Sequence, residues 1–212
     1  MITRWTELTR ERLTDLLPDS LVVLPVGAVE QHGPHLPTWT DALLVTTVVE
    51  RALDITSART VLAPTVMTGA SDQHLPFGGT LSLRPETLLA VLLDLARSVA
   101  ECGGRRLVLV NGHGGNQGAC TDAASAAVVR YGLSTCSCSR PRSGATSTVT
   151  SRTRPAPQRP RGRSGWRPRS PLWPRGCRSW SAYCDQPLRR IGACTEELRP
   201  RRNNRLAAFL PE

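Results

Sequence analysis

Lysine is missing from this chain altogether: the Lys+Arg total of 27 is all arginine, and histidine occurs only 4 times. No apolar run reaches the roughly 18 residues of a membrane-spanning helix, so a span is not expected. The opening segment, "MITRWTELTRERL", is charged from its start and lacks the apolar stretch of a secretory signal. A cytoplasmic setting is therefore expected, and the 7 cysteines, an odd number, read as reduced thiols rather than a disulfide framework. The length of 212 residues suits one domain with a core of its own.

The net charge of +10 hides two different sequences. Residues 1–133 carry 10 Arg against 13 Asp+Glu, whereas residues 134–212 carry 17 Arg against 4 Asp+Glu. The second part also holds 10 of the 17 prolines and 5 of the 7 cysteines. A division is expected near Leu133, with an α/β domain over 1–133 and an Arg/Pro-rich tail of low order over 134–212.

Within the first part, "LVVLPVG" (Leu21–Gly27), "RTVLAP" (Arg59–Pro64) and "RRLVLVNG" (Arg105–Gly112) are short apolar runs ended by Pro or Gly, the mark of strands buried on both faces. Helical spacing covers Asp41–Leu53, Pro85–Cys102 and the Ala-rich Asn116–Tyr131. The second begins with Pro and is followed by Gly103-Gly104. Strands alternating with helices imply a mainly parallel sheet covered on both faces. In such sheets ligands bind beyond the carboxyl ends of the strands. Two unusual loops start there, "GAVEQHGPH" and "NGHGGN".

Those loops hold the chemistry. Glu30 and His32 sit two apart on an irregular segment, Asp41 follows at the edge of a helix, and His113 lies among glycines. Carboxylates and imidazoles without sulfur suit zinc, manganese or iron(II). Each residue has a plainer reading. Glu30 and His32 could be solvated loop residues, and Asp41 a helix cap. His113 could sit in a turn that binds an anion through backbone N–H groups. His35 reads as a structural or substrate-edge residue, and His74 is weaker still. Joint placement after two buried strands favours the metal.

"PVGAVEQHGPHLPTWTD", "TGASDQHLPFGGTLSL" and "NGHGGN" resemble, in order and spacing, the signature segments of the creatininase (creatinine amidohydrolase) family, over roughly Leu21 to Gly132. The resemblance implies a three-layer α/β/α fold, often hexameric, whose site of two divalent metals (Zn, Mn or Fe) hydrolyses an amide C–N bond in a small molecule or short peptide. It assigns Glu30, Asp41 and His113 to one metal and His32 and Asp41 to the second, with Asp41 bridging. Ser71, His74, Gly79 and Thr80, in "SDQHLPFGGT", become the substrate-facing wall. One position departs: creatininase has a metal-binding Glu two residues after the histidine of "NGH", and here that residue is Gly115. Relatives with "NGHGGN" are expected to take an acid from a downstream segment resembling "HAGxxETS".

The tail offers none. It has no histidine, no acid from Ser134 to Ala182, and no countable periodicity. Two explanations compete: an Arg-rich arm that binds nucleic acid through phosphates, or a translational frameshift in a GC-rich gene. The frameshift is preferred, because the tail replaces elements of the fold instead of following them, and because a basic arm would mix Lys with Arg. Most of Ser134–Arg178 is then expected to be disordered, and an inactive, truncated remnant becomes the alternative to a working enzyme. Nucleic acid and membranes are not expected partners; a homo-oligomer is.

Overall fold

Each apolar run becomes a strand of one parallel sheet. The computed structural model describes residues 1–139. Its strands are β1 (Leu21–Val26), β2 (Thr60–Leu62), β3 (Arg106–Asn111) and β4 (Ser134–Ser139), in the order β2-β1-β3-β4. β1 pairs with β2 from Leu21↔Thr60 and with β3 from Leu21↔Arg106, while β3 pairs with β4 from Arg106↔Ser134.

The side chains of β1 alternate between two separate cores, as the period of two requires. Val22, Leu24 and Val26 join Leu88, Leu92, Leu107, Leu109 and Ala123 on one face. Leu21 and Val23 join Val45, Val49, Val108 and Val110 on the other. The second face is covered by α2 (Thr40–Ile55) and the first by α3 (Pro85–Glu101) and α4 (Gln117–Tyr131); a short α1 (Arg10–Leu16) precedes the sheet. The result is the expected three-layer α/β/α arrangement.

The three expected helices lie within two residues of their anticipated ends. α3 has Pro at its first position, where no intrahelical N–H is needed. α4 stops at Gly132, whose φ of 67° is a left-handed conformation that glycine adopts without strain. Asp41 is not the cap of α2: that position is Trp39, which makes no side-chain capping bond, and Asp41 sits in the first turn with its carboxylate free for other partners.

β4 lies beyond the expected division at Leu133. "STCSCS" carries no apolar alternation, yet Thr135, Cys136 and Ser137 are buried. Pairing and neighbours hold the strand in place. Thr135 donates its hydroxyl to Ala124 O at 2.5 Å, Cys136 fills the α2-side core, and Asn111 Nδ2 donates to Ser139 Oγ at 3.3 Å. The ordered α/β unit thus runs at least to Ser139. The expectations for the rest of the tail, including disorder to Arg178 and a nucleic-acid arm, lie outside the described residues.

The connection from β1 leads to β2 on one side, and the chain then crosses back to β3 on the other. The crevice between the carboxyl ends of β1 and β3 is therefore the topological switch point, where ligands of open α/β sheets bind. Gly27 closes β1 so tightly against α2 that a Cβ there would collide with Ala42.

Candidate metal centre

Beyond the carboxyl ends of β1 and β3, four side chains meet: Glu30 and His32 from the loop after β1, Asp41 from the first turn of α2, and His113 two residues after β3. Asp41 turns its two carboxylate oxygens to two different imidazoles: Oδ2 lies 3.0 Å from His113 Nδ1, and Oδ1 lies 3.3 Å from His32 Nε2. Glu30 is 5% exposed, and its Oε2 is 3.4 Å from His113 Nε2. That approach is close enough for charge attraction, yet no hydrogen bond reaches Oε2 among the described residues. Ligand atoms of Glu30, His32 and Asp41 all fall within 4.8 Å of one another. His113 is outside that trio and braces Asp41 and Glu30 from beside it.

His32 has its proton position set by the backbone. Its Nδ1 lies 3.0 Å from the Glu30 carbonyl oxygen, which can only accept. Neutral His32 therefore carries its hydrogen on Nδ1 and turns the Nε2 lone pair toward Asp41 Oδ1. In that form two acceptors face each other at 3.3 Å beside the buried, unbonded Glu30 Oε2, a set that a cation would satisfy. A backbone carbonyl on the far ring nitrogen is also how metal-binding histidines are usually oriented. The donor set, oxygen and nitrogen without sulfur, fits zinc, manganese or iron(II).

His113 faces acceptors on both sides, with Ala70 O at 3.1 Å and Ser71 Oγ at 3.3 Å from Nε2 and Asp41 on Nδ1. Burial works against its charge. The Asp41 hydrogen bond, the charges of Glu30 and Asp41, and the Ala70 carbonyl outweigh that, and its pKa lies above the ordinary imidazole value. The ion-pair partners of Glu30 and Asp41 among the described residues are histidines, never arginine.

The segment Ser71–Thr80 packs beside this cluster. Ser71 is fully buried against His113. Thr80 Oγ1 accepts from Gln31 N at 3.1 Å, and His74 Nε2 stands 3.7 Å from Glu30 Oε1. Gly79 is an exposed turn residue with φ of 67°, on the rim near Thr38. His35 is exposed and joins nothing in the cluster. At Gly115 an added Cβ would collide with the Ala70 carbonyl and stand 2.5 Å from His113 Nε2. The position at which the resemblance expects a further acid is thus closed as well as without a side chain.

Several residues that build the site carry no signal of their own. Asn116 takes the Ala70 N–H on Oδ1 and donates from Nδ2 to Gly27 O, both at 2.8 Å, tying three loops together. Asn111 Oδ1 accepts from His113 N at 3.0 Å, and Ser82 Oγ accepts from Ser71 N at 2.8 Å. The final Asn of "NGHGGN" is visible as part of a motif, but nothing in the sequence says that its job is to staple backbone.

Several known proteins are similar to this chain. The mycofactocin precursor peptide peptidase of Mycobacterium tuberculosis is 44% identical over 110 residues, 48% of this chain and 43% of that protein. The creatinine amidohydrolase of Pseudomonas putida is 40% identical over 100 residues, 45% of this chain and 38% of that protein. The chain thus spans less than half the length of these two relatives. A solved manganese creatininase is similar at a TM-score of 0.56 and 33% identity, over 61% of this chain and 52% of that one. The creatinine amidohydrolase family model matches residues 5–164, past the division anticipated at Leu133. With more than half of its length matched by that model, on a fold and a cluster of acids and imidazoles that suit it, the chain belongs to the creatininase (creatinine amidohydrolase) family of hydrolases.

Proposed function

We propose that this protein is a divalent-metal amidohydrolase that cleaves a C–N amide bond in a small molecule or short peptide. The observation that carries the reading is the split of Asp41, one oxygen toward His32 and the other toward His113, beside the orphaned Glu30 Oε2. Glu30, Asp41 and His113 would hold one cation, and His32 with Asp41 a second, making Asp41 the bridge. Cations there, whether zinc, manganese or iron, would supply the Lewis acidity that readies water for attack and polarises the scissile carbonyl. Ser71 and Thr80 border the space beside them, and buried Asn116 keeps the loops from spreading.

The second cation has two ligands among the described residues, because Gly115 offers no acid. The substrate is therefore proposed to differ from creatinine, and the second centre to be the weaker one. A homo-oligomer and a cytoplasmic setting belong to the same proposal; no described helix is long and apolar enough to cross a membrane. The test is metal content and amide hydrolysis measured together on the purified full chain. Two equivalents per chain with hydrolysis that a chelator abolishes is the expected result. Less than one equivalent, with no hydrolysis after metal is restored, would leave the inactive remnant as the better reading.

A further inference from the structure

We infer that Gln31 and His74 form a polar relay, hydrogen-bonded at its first two links and electrostatic at its last, that orients the carboxylate of Glu30, so that His74 is a positioning residue for a metal ligand and not a contact for substrate. The inference rests on the metal reading proposed above.

The relay starts from a group whose polarity is not in question. The backbone N–H of Gly33 donates to Gln31 Oε1 at 3.0 Å, and a backbone N–H can only donate. The amide of Gln31 is thereby oriented, and its Nε2 is the atom that faces His74 Nδ1, also at 3.0 Å. An NH2 group can only donate, so Nδ1 must accept. The hydrogen of neutral His74 therefore sits on Nε2, which stands 3.7 Å from Glu30 Oε1. That separation is too long for a closed hydrogen bond. The N–H dipole nevertheless points its positive end at a carboxylate that is almost wholly out of water, where such attraction is strong.

Glu30 is then divided by function. Oε1 faces His74 in the half-exposed direction, and Oε2, which receives no hydrogen bond among the described residues, is turned inward beside His113. A free carboxylate can swing about its terminal torsion; one held at Oε1 presents Oε2 along one line. The backbone locks the relay in place, since Gln31 N donates to Thr80 Oγ1 at 3.1 Å and that hydroxyl faces His74 O at 3.5 Å. Thr80 thereby ties the loop that carries Glu30 to the segment Asp72–Phe77.

The experiment uses the full chain labelled with 15N. Imidazole correlation spectra of the metal-free protein should show His74 as the Nε2–H tautomer, and Gln31→Glu, which sets an acceptor against Nδ1, should remove that signature. Titration with Mn2+ should show the first equivalent bound about 10–100-fold more weakly in His74→Leu and in Gln31→Glu. His74→Gln, which keeps an N–H at similar reach, should retain most of the affinity. An Nδ1–H tautomer in the wild type overturns the relay, as does unchanged Mn2+ affinity in His74→Leu. Wild-type protein that takes up no Mn2+ refutes the metal reading instead, and the tautomer then decides the relay alone.

Discussion

Glu30→Gln separates a metal ligand from a structural carboxylate, because the two roles predict opposite signs. Glu30 is buried with an oxygen that no hydrogen bond reaches among the described residues. Leaving a buried acceptor unsatisfied costs about 1–3 kcal/mol, and more when it is charged. Glutamine has nearly the same shape, carries no charge, and can turn its NH2 toward a carbonyl such as Ala70 O. Losing the attraction to His74 and His113 offsets part of that gain. The metal-free variant is therefore expected to be as stable as the wild type or more stable, by up to about 2 kcal/mol. At roughly 2–4 °C per kcal/mol for a chain of this size, the midpoint of thermal unfolding rises by up to about 8 °C. With metal present the order reverses. A cation at one hundred times its dissociation constant stabilises the wild type by about 2.7 kcal/mol, and the variant forfeits most of it. Scanning calorimetry of both proteins, in chelator and in excess Mn2+, reads all four numbers. A variant that loses more than about 1 kcal/mol in chelator yet gains as much from Mn2+ as the wild type would refute the reasoning. Glu30 would then be an ion-pair residue of the apo fold.

Two other outcomes follow from the same geometry. His113 has its pKa raised in the folded state, so its contribution to metal-free stability is complete below the unfolded value of about 6.5 and is lost as pH climbs through the higher folded value. Urea midpoints of the chelated protein should fall over that window, and a flat profile would contradict it. At Gly115 a methyl has no room, so Gly115→Ala should lose about 1–3 kcal/mol in denaturant unfolding and weaken metal uptake through displaced His113. Gly115→Glu should fail to tighten the weaker second equivalent for the same reason; a second equivalent bound more tightly than in the wild type, with unchanged stability, would count against the closed loop.

The central strands were legible because burial on both faces writes itself as an unbroken apolar run, as in "LVVLPV" and "RLVLVN". α3 announced both ends with Pro85 and Gly103-Gly104. Glu30, His32, Asp41 and His113 could be named from their spacing and from a family resemblance, and they do come together. What escaped lies where side chains say little about their surroundings. β4 is built from Ser, Thr and Cys, small residues that fit a strand only because β3 and α4 are already there to bury them. α1 reads "RERLTDL", with little apolar face and a Thr9 cap as its main signal. Gln31 carries no signal of its own in the sequence, since the direction of an amide is decided by a backbone N–H that no sequence displays.

Asp41 and His113 are 72 positions apart, and the pairing of β1 with β3 is what closes that interval. Closing a loop of that length costs roughly 4 kcal/mol in chain entropy, which a cation caught by one or two side chains of an unfolded chain cannot supply in advance. If the site takes up a cation as proposed, folding would thus come first and capture afterwards. On the metal reading proposed above, a cation would act on how long the finished protein lasts and not on how fast it arrives.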